Sequence, residues 1–239
     1  MEGTGNVSIQ FLPEEIIRKV IFLLPSSDLK NATAVCKRWQ DVGSEPRLWK
    51  GFRLSIDYKT VGMIEEMMKC QRLRGMKSVK FLAWFVPVKT SEAVIREISK
   101  NSEIDELVVR GNGFTDFDAD LLSSCINRMR RVLLTKTKLS REQVDVLFND
   151  MEKETRLIEL DIRENDLSKV EPNLIANCVN KLRKATMMKA YLSLLQKQAI
   201  LKEMEKKTIL EKLDIRQNGG LGNLSWRFRQ TCQSGRIIL

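Results

Sequence analysis

Three arginines are the residues of this chain best suited to do chemistry. Arg110, Arg163 and Arg216 recur at intervals of 53 residues, in the stretches VVRGN, DIREN and DIRQN. A guanidinium is a planar fork of donors that meets a carboxylate or a phosphate with two parallel hydrogen bonds. Forks at a fixed interval suit the holding of an anion rather than its turnover. The usual tools of turnover are missing. No histidine occurs among the 239 residues, which excludes His-based triads, Cys-His dyads and imidazole-ligated zinc. Nothing is spaced for Ser-Lys or carboxylate chemistry, and there is no P-loop pattern. GLGNLS at 220–225 has no acidic residue downstream and is a weak dinucleotide motif. The expectation is a protein with no catalytic residue, no metal and no cofactor.

Composition narrows the setting. Cysteines stand at 36, 70, 125, 178 and 232, an odd number with no CxxC pair. They read as reduced thiols of a protein of the cytoplasm and/or nucleus. Met1–Gln10 is polar and lacks a signal-peptide core, and the apolar runs VIFLL and FLAWFV are too short to span a membrane. The net charge is +10, from 41 basic and 31 acidic residues. It is spread in like-charge runs of two or three, which fits a solvated face better than a nucleic-acid site.

A row of arginines needs a repeating element to carry it. ELVVRGNGF at 106–114, ELDIRENDL at 159–167 and KLDIRQNGG at 212–220 share one pattern, led by Leu107, Leu160 and Leu213. A second, divergent unit lies between them, led by Val79, Val132 and Ala185. LLSSCIN at 121–127 answers LIANCVN at 174–180, and Val144, Leu147, Phe148 and Met151 mark one helix face. Each unit therefore reads as a short strand, a turn and an amphipathic helix. Leu160 and Ile162 face inward, and Asn112, Asn165 and Asn218 satisfy the turning backbone. One such unit cannot bury its own apolar face, but a stack can.

This pattern resembles leucine-rich repeats, in particular the long two-type repeats of ribonuclease-inhibitor-like horseshoes. The resemblance implies an α/β solenoid over 53–239, built of alternating 25- and 28-residue strand–helix units. Strand leads fall near 54, 79, 107, 132, 160, 185 and 213, with a partial cap unit at Ile238. In that geometry the strands line a concave face. The side chains expected on it include Lys80, Leu82, Trp84, Arg110, Leu133, Thr135, Asp161, Arg163, Met188, Asp214 and Arg216. The arginines could hold an acidic or phosphorylated segment of a bound protein. Alternatively, Glu159 and Asp161 neutralise the row and leave a solvated surface.

Residues 1–10 read as a flexible N-terminus. From Ile16 to Leu24, seven of nine residues are apolar, so this helix is greasy nearly all round. A unit of roughly 50 residues is at the lower limit for a core of its own, and this one carries a surplus that covers either the end of the solenoid, as a helical cap, or another protein. The stretch LPEEIIRKVIFLLPSSDLKNATAVCKRWQDVGSEPRLW resembles the F-box, here an all-helical unit at 11–52. The matching positions are Leu12, Pro13, Ile16, Leu24, Leu29, Val35, Cys36, Trp39, Leu48 and Trp49. The resemblance implies docking on the adaptor subunit of an SCF-type ubiquitin ligase, and through it on a cullin scaffold. Leu12, Pro13 and Trp39 read as exposed anchors.

An F-box followed by leucine-rich repeats resembles the substrate receptors of those ligases, which are non-catalytic. Two rivals stand beside that expectation. One is a leucine-rich-repeat scaffold or inhibitor whose F-box serves a non-degradative complex. The other is a basic nucleic-acid-binding protein, which steep salt dependence would reveal.

Overall fold

The computed structural model describes residues 11–24, 26–49, 53–56, 76–82, 86–100, 104–111, 114–205, 209–219 and 237–238. Pro13 stands at the mouth of the first helix, where its carbonyl accepts from the N–H groups of Ile16 and Ile17 at 3.0 and 3.1 Å. Glu14 and Glu15 occupy the first turn, where carboxylates complement the helix dipole. This helix, α1 (Glu14–Leu23), buries Ile17 and Ile21. It is followed by α2 (Ser26–Thr33), α3 (Lys37–Gly43) and a 3-10 turn at Pro46–Trp49. Both α1 and α2 pack on α3. Gly43 closes α3 directly against Thr33, and a Cβ there would overlap the Thr33 Cγ2. Glycine allows the two helix ends to meet.

The chain then alternates strand and helix. The described elements are β1 (Arg53–Ile56), β2 (Ser78–Leu82), α4 (Val88–Ser99), β3 (Glu106–Arg110), α5 (Ala119–Asn127), β4 (Arg131–Thr135) and α6 (Arg141–Lys153). They continue with β5 (Glu159–Asp161), α7 (Pro172–Asn180), β6 (Lys184–Thr186), α8 (Leu194–Met204), β7 (Lys212–Asp214) and β8 (Ile237–Ile238). The eight strands form one parallel sheet in sequence order. Each helix from α4 to α8 packs on the next.

The lead residues stand in a single register: Leu54, Val79, Leu107, Val132, Leu160, Ala185 and Leu213 are successive partners. The last step departs from the expected count. Leu213 pairs with Ile237, not Ile238. Counting assumed an unchanged connection, but hydrogen-bonded pairing sets the final strand one residue earlier.

Inward residues of the strands and one face of each helix merge into one apolar core. Leu160, Ile162, Val144, Leu147, Phe148 and Met151 all belong to it, each at most 2% exposed. Two polar devices recur through the stack. The first is the asparagine. Asn165 Nδ2 donates to the carbonyls of Leu134 (2.7 Å), Ile162 and Arg163 (both 3.2 Å), while its oxygen accepts from the Thr137 hydroxyl and the Leu139 N–H. Asn218 repeats this toward Met187 and Ile215, accepting from Ala190 and Leu192. Asn112 lies outside the described residues. Beside these asparagines the backbone turns left-handed at Gly111 (φ 99°), Glu164 (58°) and Gln217 (61°). Only glycine adopts this freely, and the buried bonds of the asparagine offset the cost at the other two.

The second device is Ser-x-x-Gln. Ser140 with Gln143, and Ser193 with Gln196, cap α6 and α8 by reciprocal hydrogen bonds. Each glutamine amide then reaches the preceding unit: Gln143 to the carbonyls of Phe114 and Phe117, Gln196 to those of Leu167 and Val170. One residue thus caps its own helix and ties it to its neighbour. No helix among the described residues is long and apolar enough to cross a membrane.

Candidate functional site

Two surfaces stand out. The first is on the helical unit. Its core takes Ile17, Ile21, Ala32, Trp39 and Val42. The surplus is left outside: Phe11 is 79% exposed, Phe22 72%, Leu23 80% and Val35 52%. Ile16 and Pro13 are exposed too. An open groove of about 510 Å³ runs between Arg18, Lys19, Phe22, Leu23, Arg47 and Leu48.

Charge is organised at its lip. Arg18 Nε donates to Glu45 Oε1 at 2.8 Å and its Nη2 to Glu14 Oε1 at 2.5 Å, while Arg47 donates to Glu45 Oε2 at 2.6 Å. Burial pushes the Glu45 carboxyl up. The hydrogen bonds and charges of Arg18 and Arg47 outweigh it and hold the group below the usual carboxylate range.

The F-box positions fall into three groups. Pro13, Ile16 and Val35 are exposed. Leu12, Leu24, Cys36 and Leu48 are half-buried against the core. Trp39, expected as an exposed anchor, is 5% exposed, and among the described residues its indole Nε1 finds no acceptor. It anchors the unit's own core, because α3 turns it inward beside Val42. The side chains of Leu29 and Trp49 lie outside the described residues. Phe11, Phe22 and Leu23 were not singled out from the sequence. The signal was the all-round apolarity of α1, which promises an exposed side without saying which residues form it.

The second surface is the sheet face away from the helices. Its first row runs Ser78, Glu106, Arg131, Glu159, Lys184 and Lys212, in register. Arg131 bridges Glu106 at 3.0 Å and Glu159 at 3.2 Å, and Ser78 donates to Glu106 at 2.6 Å. The next row holds Lys80, Val108, Leu133, Asp161, Thr186 and Asp214. Beyond it come Arg110, Thr135, Arg163, Met188 and Arg216. Lys80, Leu133, Thr135, Thr186 and Met188 are half-buried. The side chain of Leu82, and all of Trp84, lie outside the described residues.

Of the two readings of the arginine row, the neutralised one holds at Arg163 and Arg216. Arg163 Nε donates to both oxygens of Asp161 at 2.9 Å, with a further bond from Nη2. Arg216 clasps Asp214 with one bond from each nitrogen, Nε to Oδ1 at 3.0 Å and Nη2 to Oδ2 at 2.7 Å. Asp161 and Asp214 are themselves buried, so they are clamp acceptors and not free recognition groups. Residues two apart on a strand share a face, and this places each aspartate beside its arginine. Glu159, expected to help neutralise the row, pairs with Arg131 instead. Burial raises the Asp214 carboxyl, but hydrogen bonds from Arg216, and the charges of Arg216 and Arg163, hold it below its ordinary value.

Cys125 and Cys178 are buried, and that burial pushes both thiols up to about 12, far from a reactive thiolate. Among the described residues no group of three or more His, Cys, Asp or Glu side chains could hold a metal.

A small all-helical unit with its apolar surplus outside thus precedes a stacked parallel sheet. The helical unit is recognisable: residues 9–55 match the family model of the F-box-like domain. The chain therefore carries an F-box-like domain. No curated protein matches the chain.

Proposed function

We propose that this protein is the substrate-recognition subunit of an SCF-type ubiquitin ligase. The F-box-like domain docks on the adaptor subunit, which connects it to a cullin. The strand–helix units form a leucine-rich-repeat solenoid whose open sheet face holds the protein to be ubiquitinated. The chain contributes no catalytic residue. It raises the local concentration of substrate at the ligase and orients it. Free buried thiols fit work in the cytoplasm or nucleus.

The observation that carries this reading is the apolar surface left open on the F-box-like domain. Four large apolar side chains more than half exposed on so small a unit are costly to leave in water. Covering them on a partner recovers that cost.

Co-expression with the adaptor tests it. The native chain is expected to co-purify with the adaptor, and the Phe22→Ser/Leu23→Ser and Leu12→Ala/Pro13→Ala variants to lose it while staying folded. Trp39→Ala serves as the contrast, losing the adaptor only because the domain unfolds. A native chain that is soluble and folded yet leaves the adaptor behind would end the ligase reading.

A further inference from the structure

We propose that the open sheet face captures a carboxylate side chain of a bound polypeptide at Arg110, where the repeat omits the aspartate it places beside Arg163 and Arg216. This rests on the reading of that face as the substrate-holding surface, and it names the substrate's chemistry.

The three strands β3, β5 and β7 are equivalent, 53 residues apart and in one register. At the arginine position all three agree. At the position two residues earlier, β5 and β7 carry Asp161 and Asp214, and β3 carries Val108. The molecule thus displays, twice, what an arginine at this place does with a carboxylate. It takes both oxygens through Nε and Nη2, and the acid sinks to 5–6% exposure.

In β3 the fork is in place and the acid is not. Arg110 is exposed, and among the described residues no carboxylate pairs with it. Val108 beside it is 9% exposed and stands in register with half-buried Leu133 and with Lys80. An arriving Asp or Glu would find a planar two-oxygen partner, an apolar floor for a neighbouring side chain, and a second cation nearby. An apolar floor suits a peptide side chain and gives nothing to a phosphodiester backbone. The ligand is an extended segment with an acidic residue next to an apolar one.

The repeat supplies its own test. Val108→Asp should install the missing clamp, closing Arg110 with an acid that two sister strands already tolerate. A random heptapeptide display library is selected on the full chain co-purified with its adaptor. Retained peptides are then synthesised with their acid intact, changed to the amide, or replaced by phosphoserine, and a 12-nucleotide single-stranded RNA runs in parallel. The retained pool is expected to be enriched in Asp or Glu, with amide replacement weakening binding at least tenfold. Val108→Asp and Arg110→Gln should each lose the acidic peptides, by at least tenfold in affinity, at an unchanged thermal midpoint. Retention of native affinity by Val108→Asp overturns the inference, as does tighter binding of the phosphoserine peptide or of the RNA. If the native chain retains peptides without acidic enrichment, only this inference falls and the receptor reading stands. If it retains none, both fall.

Discussion

Phe11, Phe22, Leu23 and Val35 stand more than half exposed on the F-box-like domain, whereas the inward residues of β3 to β7, from Leu107 to Leu213, are at most 2% exposed. In the stacked region the large exposed apolar side chains among the described residues are confined to Tyr191, Leu194, Leu195 and Ile209, off the strands. Among the described residues the open sheet face is mostly polar, with Val108, Leu133 and Met188 between the charges, and most of those charges are already spoken for by one another. The helical domain is incomplete in its hydrophobic cover, so a partner can hold it by apolar burial, which is strong but undiscriminating. The described strands expose no large apolar side chain, so under the proposed function the sheet selects through the groups its own pairs leave free and the half-buried apolar side chains beside them. Under the proposed function, grip and discrimination are separated along one chain.

If the sheet region is complete in itself, its internal polar ties must be costly to remove, and Asn165 is the sharpest place to look. Asn165→Ala strands the Leu134 and Ile162 carbonyls and the Leu139 N–H inside the stack. With each unpaired group costing about 1–3 kcal/mol and some relaxation, the loss should be about 4 kcal/mol. Urea denaturation measures it. A loss below about 1 kcal/mol would show that water reaches these groups and that the stack is looser than the helical domain.

The F-box-like domain should be intolerant in its interior alone. Gly43→Ala places a methyl where Thr33 Cγ2 already sits, and Thr33 is buried and β-branched, so it cannot swing away cheaply. Overpacking of this kind costs about 2 kcal/mol. The companion Gly43→Ala/Thr33→Ser removes the offending methyl and should recover most of it.

A smaller effect is expected from the clamps on the sheet face. Asp214 has a folded-state value below its unfolded one, so its contribution is fully present above the ordinary carboxylate range, near pH 4. It is lost as pH falls through the lower folded value. Asp214→Asn should therefore flatten part of the acid loss of stability between about pH 5 and pH 2, read as the urea midpoint at each pH. An unchanged acid slope would mean that the Arg216 pair contributes nothing to folding.

Much of this arrangement is legible in the sequence. The 53-residue period placed the strand leads from Leu54 to Leu213, because a solenoid's register is its sequence period. The pairing of Asp161 with Arg163 was equally open to reading, since D-x-R recurs at 161–163 and 214–216 and fails only at Val108. The neutralised reading of the row named Asp161 rightly and went astray only over Glu159, which sits in a different row and pairs with Arg131. The role of Gln143 and Gln196 could have been half seen: Ser-x-x-Gln announces a cap, but the second amide bond to the previous unit depends on how units stack. Trp39 could not have been sorted at all. An apolar residue in a small domain is core or interface according to the rotation of its helix, and no local pattern fixes that for α3.

The smallest expected change tests the helical side of the comparison hardest. Phe22→Ser/Leu23→Ser removes two of the largest apolar side chains from α1, which in a core would cost several kcal/mol. Here they are 72% and 80% exposed, so little burial is lost. Serine is only slightly poorer than phenylalanine or leucine as a helix former at the last turn. The free chain should therefore keep its stability within about 0.5 kcal/mol, and its solubility should rise because exposed apolar surface has gone. Thermal and urea unfolding of the isolated chain decide it. A loss above about 1.5 kcal/mol would place both side chains in the monomer's own interior, and the F-box-like domain would then keep only Phe11, Ile16 and Val35 as apolar surplus for a partner to cover.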